Sequence, residues 1–214
     1  FRRVLFRSFR TQIPYAMDTT PDGGVEIEAE RLLQIVAESL DGVLANLGSR
    51  AQELRGVGVS TFWHSVLGID AEGTPLTPIN VWADTRSAPQ ANALRKRLDE
   101  EALHQRTGCR IHPSYYPAKL TWFRETQPSL YRSVVRWVSP SEYLFARLFG
   151  KSALQVSVCM ASGTGLLNQE ECVWDSTAMA LYGFEESSFS PIVDMNTPFQ
   201  GLLPEFRSEE HTSE

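Results

Sequence analysis

Residues 56–65 read Gly56-Val57-Gly58-Val59-Ser60-Thr61-Phe62-Trp63-His64-Ser65. The first five are a short, apolar, β-branched run of the kind that fills a buried central strand, and the sequence predicts one there. Trp63 and His64 then fall in the loop beyond it, where open α/β sheets place their ligands. Upstream, 19–24 is turn-rich and Val25-Glu26-Ile27 alternates like a strand. From 28 to 47, Leu32, Leu33, Val36, Leu40, Val43, Leu44 and Leu47 recur at helical spacing, with Gly48 as the stop. Downstream, 66–70 and 79–82 are expected to pair as strands across the turn Ala71-Glu72-Gly73. Helices are predicted over 85–98, over 100–106 with Gly108 as the stop, and over 117–126, ending before Pro128. A strand follows at 134–138. Ser139-Pro140-Ser141-Glu142 then has the form of a capping box with proline in the first turn, starting a helix to Phe149. Strands over 154–158 and 165–168 flank Ala161-Ser162-Gly163-Thr164, and Asp175 caps a last helix stopped by Gly183. Strand and helix alternate throughout, so the expected fold class is α/β with a mixed sheet in a single domain.

Composition narrows the function. The chain has 214 residues, 42% of them hydrophobic and 21% charged, with a formal net charge of −6. That balance fits a globular protein and argues against a nucleic-acid or anionic-membrane partner. No apolar run reaches the ~20 residues that span a bilayer. Three widely spaced cysteines, Cys109, Cys159 and Cys172, form no CxxC pair, which fits a reducing cytoplasm rather than a disulfide framework.

The two ends stand apart. Residues 1–8 back-translate as TTC AGA CGT GTG CTC TTC CGA TCT. The reverse complement, AGA TCG GAA GAG CAC ACG TCT GAA, encodes residues 207–214. One DNA word read on opposite strands makes both ends, and it matches a common sequencing adapter. Residues 1–8 and 207–214 are therefore expected to be adapter scars, with 9–206 the informative insert cut from a longer gene. Setting aside their four Arg and three Glu leaves 16 basic against 23 acidic residues.

Four segments carry chemistry. Trp63-His64 offers a stacking surface and a neutral donor or acceptor, although a histidine beside aromatics is also a common structural pair. In Trp82-Ala83-Asp84-Thr85-Arg86, Asp84 can accept from hydroxyls and Arg86 can donate to a carboxylate or phosphate. Equally, Asp84 or Thr85 can be a helix cap and Arg86 a solvated first-turn residue. The stretch from Arg106 through His112 and Pro113 to Tyr115, Tyr116 and Lys119 gathers hydrogen-bonding groups around a proline turn. Ala161–Gly165 is rich in small residues but lacks GxxxxGK[ST], and reads as a structural turn. No HExxH or GxSxG occurs, and no metal ligand set is expected.

Taken in order, these segments resemble the N-terminal domain of the FGGY carbohydrate kinases. Gly58-Val59-Ser60 with Trp63-His64 is similar to that family's Gly-[IV]-Ser strand followed by Met-His. Trp82, Asp84 and Arg86 match Trp-x-Asp-x-Arg, while Thr107, Gly108, Pro113, Lys119, Leu120 and Trp122 match a Thr-Gly…Pro…Lys-[ILV]-x-Trp segment. Residues 139–144 match Ser-[IP]-x-[ED]-Tyr-[LV], and 161–166 with Trp174-Asp175 match Ala-Ser-x-Thr…Trp-Asp. Within the family, Trp82–Ser87 with Arg106–Pro113 looks most like the gluconokinase branch.

The resemblance implies a ribonuclease-H-like, actin-like ATPase domain and ATP-dependent phosphorylation of a terminal hydroxyl on a sugar or sugar acid, with gluconate first. Carried over, it implies a substrate pocket lined by Trp63, His64, Trp82, Asp84, Arg86, Tyr115 and Lys119. ATP and Mg2+ would be bound mainly outside this chain, because the family's Asp-x-Gly-Thr hairpin does not precede Thr11 and its Gly-Gly-Asp segment lies beyond Phe206. The fragment alone is therefore expected to be inactive, with no catalytic residue of its own. A homodimer of the full-length enzyme is left open. Some positions depart from the pattern. Trp63 replaces the family's methionine, 156–159 lacks an acidic residue, and Ser114 stands where glycerol kinases carry a substrate-facing tyrosine. Gluconate would need a cation, with Arg86, Arg110 and Lys119 as the candidates. Xylulose or another pentulose, glycerol, and a non-catalytic sugar-binding module are the alternatives. The run 199–204 reads as the approach to a second domain.

Overall fold

The computed structural model of the chain describes residues 9–206, so both expected adapter scars lie outside the described residues. Strand β1 (Asp18–Thr19) turns back through residues 20–24 to pair antiparallel with β2 (Val25–Ile27). Helix α1 (Ala29–Leu47) follows, its first turn capped by the Glu28 carboxylate, and it ends at Gly48. Strand β3 (Leu67–Ile69) and β4 (Ile79–Asn80) come next, then α2 (Ala88–Arg97), α3 (Glu100–Thr107), α4 (Tyr116–Thr126) and the short α5 (Pro128–Ser133). Strand β5 (Arg136–Val138) leads into α6 (Pro140–Phe149), where Ser139 and Glu142 close the anticipated capping box. The remainder is β6 (Val156–Ser157), α7 (Val158–Ser162), the hairpin β7 (Leu167–Asn168) and β8 (Val173–Trp174), α8 (Ser176–Tyr182) and β9 (Ile192–Val193).

Among the described residues the strands form small separate sheets, antiparallel except for one parallel pair, rather than one mixed sheet. Strand β2 pairs antiparallel with β4, β3 antiparallel with β5, and β6 parallel with β9. A bridge between Val66 and Asn80 stitches the first two sheets together, with Val66 N–H on the Asn80 carbonyl at 3.1 Å and the reverse bond at 2.8 Å. Two apolar cores result. One gathers Ile27, Leu33, Leu67, Ile79, Tyr143 and Leu144 under α1 and α6. The other gathers Leu94, Leu103, Leu120, Phe123, Trp137 and Trp174 among α2, α3, α4 and α8.

Several expectations change. Residues 56–60 form no strand; they are exposed, with Val57 at 67%, and a Cβ added at Gly56 or Gly58 would meet nothing within 4 Å. A strand needs a ladder partner for its N–H and C=O groups, and no described segment pairs with this run. The expected pairing of 66–70 with 79–82 reduces to the single Val66–Asn80 bridge. Residues 75–77 meet β3 first, through the Ile69–Pro75 bridge and the Leu76 N–H on the Gly68 carbonyl at 2.8 Å, while β5 pairs with it as a strand. The helix predicted from 85 begins at Ala88, since 84–87 is a turn held by Asp84. Strand 154–158 shrinks to β6, with Val158 already helical, and 165–168 shrinks to β7. Residues 199–204 lie against α6, with Leu203 N–H on the Leu148 carbonyl at 2.8 Å and Phe199 stacked on Phe145.

Candidate functional site

The Val66–Asn80 bridge brings two chain segments side by side, 61–65 arriving and 81–86 leaving. Beneath both sits Lys119 of α4, only 1% exposed. Its ammonium donates to the carbonyls of His64 at 2.7 Å, Asn80 at 3.0 Å and Val81 at 2.7 Å. Burial pushes this lysine down to about 7, against the pull of Asp84.

Asp84 and Arg86 form a second buried knot. The Asp84 carboxylate, in a residue 3% exposed, accepts from the Val25 and Arg86 main-chain N–H groups at 3.3 and 3.0 Å. It also takes the Arg86 guanidinium, at 2.6 Å from Nη2, while that same nitrogen pairs with Glu26. The guanidinium lies 4.5 Å from the Trp122 ring centroid. A Cβ added at Gly24 would stand 2.8 Å from Arg86 Cζ, so the β1–β2 turn needs glycine to admit the pair. Burial opposes the Arg86 charge, but the bonds and charges of Asp84 and Glu26 more than offset it and raise its pKa.

Above these cations stands an aromatic wall. His64 adopts a left-handed backbone, φ 62°, and its Nδ1 lies 2.6 Å from the Gly163 carbonyl. A carbonyl only accepts, so Nδ1 carries the proton and the neutral ring keeps Nε2 as an acceptor. Burial lowers the His64 pKa; the Gly163 bond resists, and Lys119 and His112 push it further down. The His64 ring packs 4.4 Å from Tyr115 and 5.7 Å from Trp63, and Tyr115 in turn lies 5.7 Å from His112. Trp63, 46% exposed, rests on Gly163, where a Cβ would come within 3.1 Å of the indole. Trp82 is 55% exposed, and its carbonyl accepts from the Ser114 hydroxyl at 2.7 Å, which ties its loop to the 112–115 turn.

Of the seven residues expected at the site, Trp63, His64 and Tyr115 come together as ring contacts, with Trp82 on the loop beside them. Asp84, Arg86 and Lys119 lie underneath and are engaged with protein groups. The remaining candidate cation, Arg110, pairs at the surface with Glu100 and Glu101. Two participants, His112 and Gly163, were not picked out as site residues from sequence. A small residue in the 161–165 turn, facing the unusually bulky Trp63, is the signal that could have found Gly163. Among the described residues no three His, Cys, Asp or Glu side chains converge as a metal site, and the three cysteines are free. No helix there is long and apolar enough to cross a membrane.

The model of the FGGY family of carbohydrate kinases, N-terminal domain, matches residues 9–208. This chain belongs to that family. A gluconokinase of Bacillus licheniformis is 26% identical over 196 residues, covering 92% of this chain and 37% of that protein. A gluconokinase of Bacillus subtilis (strain 168) is 31% identical over 149 residues, 70% of this chain and 29% of the relative. Xylulose kinases and glycerol kinases also match. Among solved structures, the gluconate kinase of Lactobacillus acidophilus superposes with a TM-score of 0.78 at 22% identity, over 90% of this chain and 38% of that one. That likeness establishes the fold. This FGGY chain thus spans under two fifths of the length of these relatives.

Proposed function

We propose that this FGGY chain is the sugar-binding part of an ATP-dependent carbohydrate kinase, and that gluconate is its first-choice substrate. The observation that carries the reading is the wall of Trp63, His64 and Tyr115 beside exposed Trp82. Aromatic faces suit the C–H surfaces of a polyol. His64 Nε2 accepts a hydrogen bond from a hydroxyl, while its Nδ1–H stays committed to Gly163. Asp84 and Arg86, paired with each other and with Glu26, hold the loop that presents Trp82.

ATP and Mg2+ would supply the phosphoryl group and its charge neutralisation. Neither a phosphate-binding Gly-rich loop nor a cluster of metal ligands lies among the described residues, so binding and orientation of the sugar is the share of the reaction assigned to this chain. On this reading the chain alone transfers no phosphate, and its eight-residue ends derive from adapter DNA.

A neutral pentulose is the second reading. Arg86, Arg110 and Lys119 are each already engaged, so none of these three candidates is a free cation for a sugar acid's carboxylate. A xylulose kinase of Streptomyces coelicolor is also 34% identical over 132 residues.

Titration of the chain with gluconate, xylulose and glycerol, followed by tryptophan emission and calorimetry, separates these readings. Saturable binding of gluconate ahead of the others supports the first, and xylulose ahead of gluconate supports the second. Binding of none of the three sinks both. Sugar-dependent ADP release by the purified chain would overturn its assignment as inactive alone.

A further inference from the structure

We infer that Lys119 is a positioning residue: its ammonium sets the main chain of both loops that present Trp63, His64 and Trp82, and it does not itself touch the sugar. This deepens the sugar-binding reading and rests on it. An ammonium has three N–H donors, and all three are taken, by the carbonyls of His64, Asn80 and Val81. Those carbonyls occupy telling places. One belongs to His64, the residue with the strained left-handed backbone. The other two belong to the residues just before Trp82. One side chain, rooted in α4, therefore clamps the end of the arriving segment to the start of the leaving one.

The clamp also acts on the His64 ring. The Lys119 charge and His112 both disfavour protonation of His64, in the same direction as burial. The ring is thereby kept in the neutral form whose Nε2 accepts from a hydroxyl. Asp84 and Arg86 are the charged groups that face Lys119 from the other side, and they act on it in opposite directions. A residue that merely filled space would not need three donors. One that bound substrate would not have spent them all on main chain.

The test uses the whole chain with Lys119→Met and Lys119→Arg. The His64 ring is followed by NMR titration, with its signal assigned from His64→Gln, and sugar binding by tryptophan emission with gluconate, xylulose and glycerol. Lys119→Met is expected to raise the His64 titration midpoint and weaken whichever sugar binds by about tenfold. Lys119→Arg, which keeps charge and donors, should recover part of both. A folded methionine variant with unchanged His64 titration and unchanged affinity overturns the inference. So does selective loss of gluconate with xylulose and glycerol untouched, because that marks Lys119 as a carboxylate contact. If the unaltered chain binds none of the sugars, the functional reading falls, yet the His64 titration still decides whether Lys119 positions the loop. Should Lys119→Met fail to fold, Lys119→Gln, with two donors, carries the same readouts.

Discussion

Arg86 and Lys119 are two cations buried beneath one wall, and they are held in opposite ways. Arg86 meets full charges, Asp84 and Glu26, and so remains charged despite its burial. Lys119 donates only to carbonyl dipoles, the charges of Asp84 and Arg86 act on it in opposite directions, and burial pulls its pKa to about 7. An arginine paired in this way is a permanent fixture. A lysine caged by dipoles is conditional on pH, and this difference can be measured.

The largest effect should come from breaking the permanent pair. Asp84→Ala leaves the Arg86 guanidinium with Glu26 as its one charged partner beside the Asn80 side-chain oxygen, and strips the Val25 N–H of its acceptor. Removing one partner of a buried pair typically costs about 3–5 kcal/mol, and chemical denaturation should show a loss of that order. A loss under about 1 kcal/mol, the range of surface pairs, would mean that the knot is solvated and that the contrast with Lys119 is false.

The conditional cation gives the next effect. An unfolded lysine titrates near 10.4, above the folded value of about 7. Between those values the unfolded chain binds more protons, so stability rises as pH climbs from 7 towards 10. Below pH 7 both states carry the charge and the group adds no slope. Three carbonyls favour the ammonium and oppose burial, so the expected rise is on the order of 2–3 kcal/mol. Urea unfolding at stepped pH should show the rise in the unaltered chain and lose it in Lys119→Met. Arg86 stays charged throughout this window and cannot mimic it. A flat profile in the unaltered chain would show that the carbonyl cage holds the proton as firmly as Asp84 and Glu26 hold the guanidinium.

These two predictions also mark how far the sequence could be read. Signals that act within a few residues came through: the Ser139–Glu142 capping box, the Asp175 cap and the Gly108 and Gly183 stops all stand where the sequence places them. The order of motifs identified the family without help from distant contacts. Signals that depend on a distant partner did not come through. Gly56–Ser60 has the composition of a central strand, but a strand exists only beside another, and this run has none among the described residues. The surroundings of Lys119 were hidden for a related reason: in sequence it is a pocket residue by resemblance and one of three candidate cations. Only the fold reveals that α4 buries it against three carbonyls from residues 38 to 55 positions away. At Asp84 and Arg86 the sequence left open substrate contacts or a helix cap beside a solvated first-turn arginine, and the ion pair between them was part of neither reading.

The smallest expected effect tests the wall rather than the cations below it. Gly163 has an ordinary helical backbone, φ −81°, so alanine is compatible with its conformation. An added Cβ would nevertheless stand 3.1 Å from the Trp63 indole, which must yield by a few tenths of an ångström. Gly163 is buried, but Trp63 is half exposed and can swing away from the added methyl, so Gly163→Ala should change stability by no more than about 1 kcal/mol. Its consequence should appear in the site instead, as a shifted Trp63 emission and altered sugar affinity. Unchanged emission together with unchanged affinity would mean that the indole does not rest on Gly163 in solution. The unusual tryptophan would then be a surface residue, and the wall would consist of His64 and Tyr115 alone. A shift in emission with intact stability would separate the two layers: buried cations that hold the loops, and exposed rings that meet the ligand.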